Sequence, residues 1–319
     1  MERKKHILIL AGGGGHTGFG YALAQRLQSK AFMTFMIPEG DNLSRKKLSC
    51  FGKTVSLTKP RGAKTTTSMF AFNMVRAFWA SMKKIKSEFD AVVSTGSNFC
   101  VPPALVAFLK QIPLINIESE ARFIGASRTA RILQPFSKVT VLQWHEQKSF
   151  LKGTVVGPIF PKPEIVPRND GYVLVTGGTL GHKRLFDVLN ESDLKNVVLQ
   201  TGEINPEPYI KRHPEWKIIR FSLKFNELIA GAEVIVTHQG STPLEAAVYN
   251  KPSVIVPNPD LKRTFPKRDS EIFAKKLGAT ILPILTLDSL INAIEAAKKQ
   301  RIPVLKDGAK VLADLILNL

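Results

Sequence analysis

The sequence predicts an α/β protein of two domains, each a Rossmann-like parallel sheet covered by helices on both faces. Its 319 residues are enough to bury two separate cores. Apolar residues make up 44% and charged residues 22% of the chain, as is typical of globular proteins. Short apolar strands alternate with helices, the alternation stops once, and it then restarts. We therefore expect domains at residues 1–157 and 158–319.

The first domain is predicted from apolar runs that lack polar alternation. Such runs indicate strands buried on both faces, as in a parallel sheet. Helical segments between them supply the crossovers. The predicted strands cover residues 6–11, 32–37, 90–94, 114–117 and 138–142, and the predicted helices include 21–28 and 102–109.

The second domain begins after residues 155–171, where four prolines and little periodicity indicate a linker. The pattern of strand and helix then returns. Two such halves are expected to face each other across a cleft at the carboxyl ends of their strands, where open parallel sheets bind ligands. The predicted strands are 172–176, 197–200, 217–220, 234–236 and 253–256, and the predicted helices are 185–189, 225–230, 243–249, 270–277 and 288–299.

The net charge of +19 favours an anionic partner: nucleic acid, acidic lipid or a phosphate-rich substrate. We find no nucleic-acid-binding motif in the sequence. Residues 68–85 carry an apolar side chain at every fourth position, namely Phe70, Met74, Phe78 and Met82. This stripe fits a core helix and equally a helix lying in a membrane interface. The flanking basic residues are Arg61, Lys64, Lys83, Lys84 and Lys86.

Targeting and redox features indicate a cytosolic protein. Cys50 and Cys100 have no metal-ligand spacing and form no disulfide framework. The first apolar run is too short for a signal peptide. No stretch reaches the ~20 apolar residues that a membrane-spanning helix needs.

The first strand leads into a glycine-rich loop, residues 12–18, with His16 inside it. Glycines allow phosphate or sugar oxygens to approach backbone N–H groups closely. Gly13, Gly15 and Gly18 match the dinucleotide fingerprint, with Glu39 placed to hold a ribose. The histidine in the loop, and an independent nucleotide signature in the second half, argue against a nicotinamide enzyme.

That second signature is residues 237–247, in which a strand leads through Gly240, Ser241 and Thr242 into a helix expected to begin near Pro243. The N–H groups of the turn would bind an anion, assisted by the helix dipole. Glu245 is expected in the first helical turn, where its carboxylate can accept both hydroxyls of a ribose. The alternative is that Glu245 only complements the dipole.

These motifs resemble a known group of enzymes. The segments GGGGHTGFG, VVSTGSNFCVPPAL, INIESEARF and VTVLQW are similar to the acceptor subunit of the eukaryotic enzyme that adds the second GlcNAc to the lipid-linked N-glycan precursor. VLVTGGT and VTHQGSTPLEAAVYNKPSVIVPNP resemble that enzyme's donor-binding subunit and the donor domain of MurG-type transferases. Archaeal homologues fuse the two halves in this order. The resemblance implies the GT-B fold.

The resemblance implies an inverting, metal-independent transfer from UDP-GlcNAc to a polyprenyl or dolichyl pyrophosphate-linked sugar. The enzyme would act at the cytoplasmic face of the membrane as a peripheral protein bound to anionic lipid. Where the family has a glutamine-bearing pattern, this chain has Lys267, Arg268, Asp269 and Ser270. Assigned to the donor are Gly177, Gly178, Thr179, His238, Gly240, Ser241, Thr242 and Glu245; assigned to the acceptor and its phosphates are Gly14, Gly15, Thr17, Gly96, Ser97, Asn98 and Arg122.

His16 is the predicted catalytic base, because a position at a helix N-terminus lowers a histidine pKa and favours the neutral form. A structural histidine within the loop is the alternative. Glu120 is the second candidate base, and Glu118 is expected to pair with Arg122 as scaffolding. His182 and His238 are expected to orient loops.

No metal-binding motif is present in the sequence. Backbone N–H groups, the helix dipole and Lys183 or Arg263 would stabilise the leaving group. The alternatives are an exopolysaccharide transferase that uses UDP-glucuronate or UDP-galactose, and a UDP-sugar 2-epimerase. The epimerase would need neither an acceptor nor a membrane-facing surface.

Overall fold

The chain divides into two units, which a computed structural model describes for residues 3–62, 65–260 and 266–319. The first unit comprises Met1–Lys162 together with Lys306–Leu319, and the second comprises Pro163–Leu305. This division differs from the predicted one because residues 306–319 belong to the first unit. Two residues considered from sequence, Lys64 and Arg263, lie outside the described residues.

The first unit contains a parallel sheet of seven strands in the order β3-β2-β1-β4-β5-β6-β7. Sequence analysis missed the strands at 53–57 and 154–155 and the helices at 42–48, 128–133 and 308–317. The strands are β1 (His6–Leu10), β2 (Phe32–Pro38), β3 (Lys53–Leu57), β4 (Ala91–Ser94), β5 (Leu114–Ile117), β6 (Val139–Leu142) and β7 (Thr154–Val155). The helices are α1 (Gly15–Leu27), α2 (Asn42–Leu48), α3 (Thr67–Lys84), α4 (Val101–Leu109), α5 (Arg128–Leu133) and α12 (Gly308–Leu317).

The central strand β1 is apolar throughout because both faces of the sheet are covered. Ile7 and Ile9 point into a core formed with α1 and α12. Leu8 and Leu10 point the opposite way, into a core formed with α3 and α4. Alternate residues of one strand therefore serve two different helix layers.

The second unit contains six parallel strands in the order β10-β9-β8-β11-β12-β13. Helices α6 and α11 share a core with Val173 and Val175, and α8 and α9 share the opposite core with Leu174. The strands are β8 (Tyr172–Thr176), β9 (Val197–Gln200), β10 (Lys217–Ile219), β11 (Ala232–Thr237), β12 (Ser253–Ile255) and β13 (Thr280–Ile281). The helices are α6 (Lys183–Leu189), α7 (Glu207–Arg212), α8 (Phe225–Gly231), α9 (Ser241–Val248), α10 (Lys267–Leu277) and α11 (Leu287–Lys298).

Helix α3 carries large apolar side chains on two of its faces. Three of the four residues of the predicted stripe face inward: Met74, Phe78 and Met82 pack against the core around the fully buried Ala77. The fourth, Phe70, is half-buried, with Arg61 over its ring at 4.7 Å. The opposite face leaves four apolar side chains in solvent: Met69, Phe72, Val75 and Trp79. The core interpretation therefore holds for one face, and the other face remains exposed. Among the described residues, no helix is long and apolar enough to cross a membrane.

Candidate active site

Both sheets reverse their strand order at one point, and the predicted site loops lie at these two points. In the first unit the order reverses between β1 and β4, which are followed by the β1 loop (residues 11–14) and the β4 loop (residues 95–97). In the second it reverses between β8 and β11, which are followed by the β8 loop (residues 177–182) and the β11 loop (residues 238–240). Such switch points are where open parallel sheets bind ligands.

The β1 loop is a backbone-lined surface that ends at the N-terminus of α1. Gly13 and Gly14 have φ values of 87° and 57°, a region that favours glycine. Gly14 caps the helix without a side-chain hydrogen bond, and the first turn, which begins at Gly15, has no acidic residue. The first N–H groups of a helix have no partner within it. The loop is therefore suited to an anion, and the assignment of Gly14 and Gly15 to acceptor phosphates stays a prediction.

His16 lies in the first turn of α1 and is oriented by the β4 loop. Its Nδ1 lies 2.7 Å from the carbonyl oxygen of Thr95. Because a carbonyl only accepts, Nδ1 carries the proton, and Nε2 of a neutral ring keeps its lone pair. Nε2 has no partner among the described residues. A Cβ at Gly96 would lie 2.9 Å from the imidazole Cε1, so the ring packs directly on that glycine.

The electrostatic environment also favours a neutral His16. Burial lowers the pKa of His16; the Thr95 carbonyl opposes this shift and the positive charge of Lys59 adds to it. The predicted direction is confirmed, although burial rather than helix position is the main cause. A neutral imidazole with a free Nε2 can take a proton from a hydroxyl group.

The other predicted acceptor residues differ in whether their side chains are free to bind a ligand. The Thr17 hydroxyl lies 2.6 Å from Ser44 Oγ, which donates to Asp41, and Thr17 is buried. Thr17 is thus part of the loop's support, and its hydroxyl is not available to a phosphate. In the β4 loop, Ser97 Oγ is buried and has no hydrogen-bond partner in the described part of the chain. The same is true of Oδ1 of the adjoining Asn98.

The segment after β5 holds two buried carboxylates with different roles. Glu118 accepts hydrogen bonds from the backbone N–H groups of Ser119 at 2.6 Å and Ser127 at 2.8 Å. Burial raises the pKa of Glu118, opposed by those bonds and by the charge of Arg122. Glu118 is therefore structural, as expected. Glu120 accepts from Ser119 Oγ at 3.0 Å and is also buried.

Two buried glutamines that sequence analysis did not single out hold this segment in place. Gln147 Nε2 donates to the carbonyl oxygens of Ser119 and Arg122, and Gln143 Nε2 donates to that of Glu118. Each side-chain amide donates to backbone carbonyl oxygens that would otherwise be unpaired. The backbone of Arg122 is thereby fixed, and the residue is half-buried. Its charge favours the ionised form of the neighbouring Glu118.

In the second unit, the β8 loop leaves no room for a side chain at Gly177 or Gly181. A Cβ at Gly177 would collide with the backbone of Gly181 and His182. His182 is buried, with Nδ1 accepting from Leu185 N at 3.4 Å and Nε2 lying 3.3 Å from the Pro257 carbonyl. His182 therefore orients the loop, as predicted. The Thr179 carbonyl accepts from Glu203 N at 3.0 Å, which fixes the outer part of the loop.

The β11 loop leads directly into α9, with Gly240 as the N-cap and Ser241 and Thr242 as the first helical residues. The helix starts earlier than predicted, so Glu245 is beyond the first turn and its predicted placement there is wrong. Dipole stabilisation falls off within the first turn, so the alternative role of Glu245 loses support. Glu245 is half-buried. Burial raises the pKa of Tyr249, and the charge of Glu245 adds to this rise.

His238 packs against the β8 loop, where a Cβ at Gly178 would lie 3.1 Å from its Cε1. Burial, with the neighbouring His182 as a smaller cause, lowers the pKa of His238 to about 4. Three consecutive residues here leave a buried polar atom without a partner among the described residues: Thr237 Oγ1, His238 Nδ1 and Gln239 Nε2. Buried polar groups are normally paired, so these atoms, like the pair in the β4 loop, are available for hydrogen bonds with a bound ligand.

Three further observations concern the predicted leaving-group cation, the support of the β11 loop and metal binding. Lys183, a predicted partner of the leaving group, is exposed and pairs with Asp187 at 2.6 Å. Ser270 Oγ donates to Gln239 Oε1, so the segment that departs from the family pattern supports the β11 loop. The described residues contain no group of three or more His, Cys, Asp or Glu side chains arranged to bind a metal.

Comparison with known families assigns each unit separately. Residues 7–158 match the family described as "Oligosaccharide biosynthesis protein Alg14 like". Residues 172–305 match the "Glycosyltransferase family 28 C-terminal domain". The chain is a glycosyltransferase. It joins an Alg14-like domain to a family 28 domain, and its two Rossmann-like units are those of the GT-B fold.

Relatives of this transferase carry both halves. The UDP-N-acetylglucosamine–N-acetylmuramyl-(pentapeptide) pyrophosphoryl-undecaprenol N-acetylglucosamine transferase of Microcystis aeruginosa is 29% identical, over 97% of this chain and 96% of the relative. The corresponding enzyme of Prochlorococcus marinus is 24% identical, over 88% and 83%.

Solved structures agree on the fold of the transferase. MurG of Acinetobacter baumannii has a TM-score of 0.67 at 20% identity, over 99% of this chain and 100% of that one. A UDP-GlcNAc 2-epimerase of Neisseria meningitidis, solved with UDP-GlcNAc, has a TM-score of 0.69 at 13% identity, over 98% and 100%. At these identities the likeness shows the fold alone.

Proposed function

We propose that the protein transfers GlcNAc from UDP-GlcNAc to a polyprenyl or dolichyl pyrophosphate-linked GlcNAc, the second step of N-glycan precursor assembly. The observation that carries the proposal is the order of the two matched domains, each with a glycine loop at its switch point. The relatives support UDP-GlcNAc as donor and a lipid pyrophosphate as acceptor through the reactions in their names. The Alg14-like first half favours the N-glycan acceptor.

The second unit would bind the donor. Glu245 would accept the ribose hydroxyls, and the pyrophosphate would lie on the N–H groups of Gly240, Ser241 and Thr242 at the N-terminus of α9. The β8 loop, Gly177 to Thr179, would line the same site. The buried Gln239 amide and His238 Nδ1, which have no partners in the described chain, would gain them from the donor.

The first unit would bind the acceptor and activate it. His16 Nε2 would take the proton of the attacking hydroxyl as that oxygen bonds to the anomeric carbon and the bond to UDP breaks, which inverts the configuration. Backbone N–H groups and the α9 dipole would stabilise the departing diphosphate, so no metal is required. Glu120 is the second candidate base.

We further propose that the protein binds the cytoplasmic face of an anionic membrane through the outer face of α3. Trp79 and Phe72 are 62% and 69% exposed, so the described residues of the unit leave this face largely uncovered. Arg76, Lys83 and Lys84 are exposed on the same helix. Aromatic and aliphatic side chains beside cations are the composition of helices that lie in a lipid interface.

The membrane proposal is tested by sedimentation with vesicles containing anionic lipid. The Phe72→Ser/Trp79→Ser double variant should remain in the supernatant, whereas the wild type sediments. Ile284→Ser, at an equally exposed site of the second unit, is the matched control and should sediment. Equal sedimentation of the double variant and the wild type would exclude the α3 face.

The transfer proposal is tested with radiolabelled UDP-GlcNAc and a synthetic GlcNAc-pyrophosphoryl lipid in the presence of EDTA. Labelled lipid is the expected product. Label that appears only with UDP-glucuronate or UDP-galactose would replace the donor assignment with that of an exopolysaccharide enzyme. Conversion of UDP-GlcNAc to an epimer without acceptor would overturn transfer altogether.

A further inference from the structure

A lysine outside every sequence motif lies over the β1 loop. Lys59 follows strand β3, the edge strand of the first sheet. Its Nζ lies 3.9 Å from where a Cβ at Gly13 would be. The side chain therefore reaches from the sheet edge to the backbone of the glycine loop, which is two strands away.

Lys59 is exposed, and no carboxylate contacts its ammonium group within ion-pair distance in the described part of the chain. Asp41 is the nearby carboxylate: its Oδ2 lies 3.2 Å from the same Gly13 position, and its two oxygens accept from Ser44 N at 3.0 Å and from Ser44 Oγ at 2.6 Å. Glu39 accepts from Thr58 Oγ1 at 3.2 Å. Lys59 forms no ion pair with the described residues. A free ammonium group thus faces a loop whose glycine backbone and helix dipole already favour an anion.

The space beside this group is open. A Cβ at Gly14 would meet nothing within 4 Å, and Gly14 and Gly15 are exposed, so the loop is accessible at these two residues. On the other side of the loop lies His16, whose imidazole is close enough for the Lys59 charge to help lower its pKa. An anion held between Lys59 and the loop would lie next to the proposed base.

We propose that Lys59 binds the diphosphate of the acceptor against the β1 loop and so places the acceptor beside His16. The inference rests on the proposed function for the identity of the ligand. The ammonium group supplies a positive charge that the glycine backbone lacks. Its proposed ligand is the acceptor diphosphate alone. A hydrogen bond between charged groups gives the interaction its strength.

The test measures binding and transfer separately on the full-length protein. Isothermal calorimetry with a short-chain GlcNAc-pyrophosphoryl lipid should show about 10- to 100-fold weaker binding for Lys59→Ala, the range expected for a hydrogen bond to a charged group. Lys59→Arg should retain most of the affinity, and the acceptor KM should rise with the dissociation constant while the donor KM stays unchanged. Lys53→Ala, at the opposite end of β3, is the matched control and should bind like the wild type.

A second readout separates a charge effect from a structural one. An NMR titration of the His16 ring should give a higher pKa in Lys59→Ala than in the wild type, since a nearby positive charge is removed. Lys59→Ala with wild-type affinity for the lipid would overturn the inference, whatever the activity. Transfer by the wild type together with that result would leave the proposed function standing.

The remaining outcomes distinguish the two proposals in the other direction. A wild type that transfers no sugar, yet binds the lipid diphosphate in a Lys59-dependent way, would overturn the reaction and uphold the Lys59 site. A wild type that neither transfers sugar nor binds the diphosphate lipid would overturn both.

Discussion

His16 and His182 occupy corresponding places in the two units, yet their surroundings differ. Each follows the first strand of its sheet through a glycine-rich loop and lies at the N-terminus of the next helix. Both ring nitrogens of His182 are engaged within the second unit. His16 uses only Nδ1, toward Thr95, and its Nε2 has no partner in the described part of the chain.

The difference supports a structural role for His182 and the proposed role of base for His16. Burial lowers the pKa of both rings, so neutrality alone does not distinguish them. What distinguishes them is a lone pair left available at one nitrogen. The same loop position can therefore fix a loop in one half of the chain and supply a base in the other.

The largest expected effect tests this contrast directly. His16→Ala should lower kcat by roughly 10²- to 10⁴-fold, the usual contribution of a general base, while calorimetric binding of UDP-GlcNAc stays unchanged. His145→Ala replaces an exposed histidine of the same unit and should leave kcat unchanged. Near-normal turnover by His16→Ala would move the role of base to Glu120.

His182→Ala should affect stability instead. Losing a buried ring that satisfies Leu185 N and the Pro257 carbonyl is expected to cost about 2–4 kcal/mol. The free energy of unfolding in urea measures this, with kcat per folded molecule falling far less than in His16→Ala. An unfolding free energy equal to that of the wild type would contradict the structural role.

Glu245→Ala should change the KM for one substrate and not for the other. We expect about a 10-fold rise in donor KM, as for the loss of a charged hydrogen-bond acceptor, with little change in acceptor KM. Steady-state kinetics with each substrate varied gives both values. Glu207→Ala, at an exposed carboxylate in the same unit, is the control. Equal rises in the two KM values would exclude the ribose assignment.

The smallest effect concerns pH. The base must be neutral, and its pKa in the folded protein is lowered, so kcat/KM should rise with pH through a value below that of an ordinary histidine, about 6.5. More than half of the plateau activity should therefore persist at pH 6.5. An acid limb centred above that pH would show that His16 is protonated more easily than its burial implies.

Local patterns were enough to place most of the fold. Apolar runs such as residues 172–176 marked buried strands, and both glycine loops fell at the switch points because these loops follow strands with recognisable patterns. The strand Lys53–Leu57 was missed because it is a polar edge strand with no continuous apolar run. Helix α12 has a local signal, since Asp307 caps it and its buried residues recur at helical spacing, but its membership of the first unit could not be read from a segment so far away in sequence.

The site was less predictable than the fold. Glycines and His16 form a contiguous motif, but Lys59 is one lysine among many and becomes notable only when β3 brings it to the β1 loop. Likewise, Gln143 and Gln147 gained their roles from carbonyls of a distant segment. Thr17 was assigned to phosphate from its motif position, whereas its hydroxyl turned inward to Ser44.

The return of α12 to the first unit has a consequence for how the protein is made. Leu312 and Ile316 complete the core beside α1, and the buried Arg26 pairs with Asp307 at 3.1 Å. During synthesis these partners leave the ribosome only after the whole second unit has been translated. The nascent first unit must therefore wait with one side of its sheet partly uncovered, and a gene split at the linker would have to carry the last helix back to the first half.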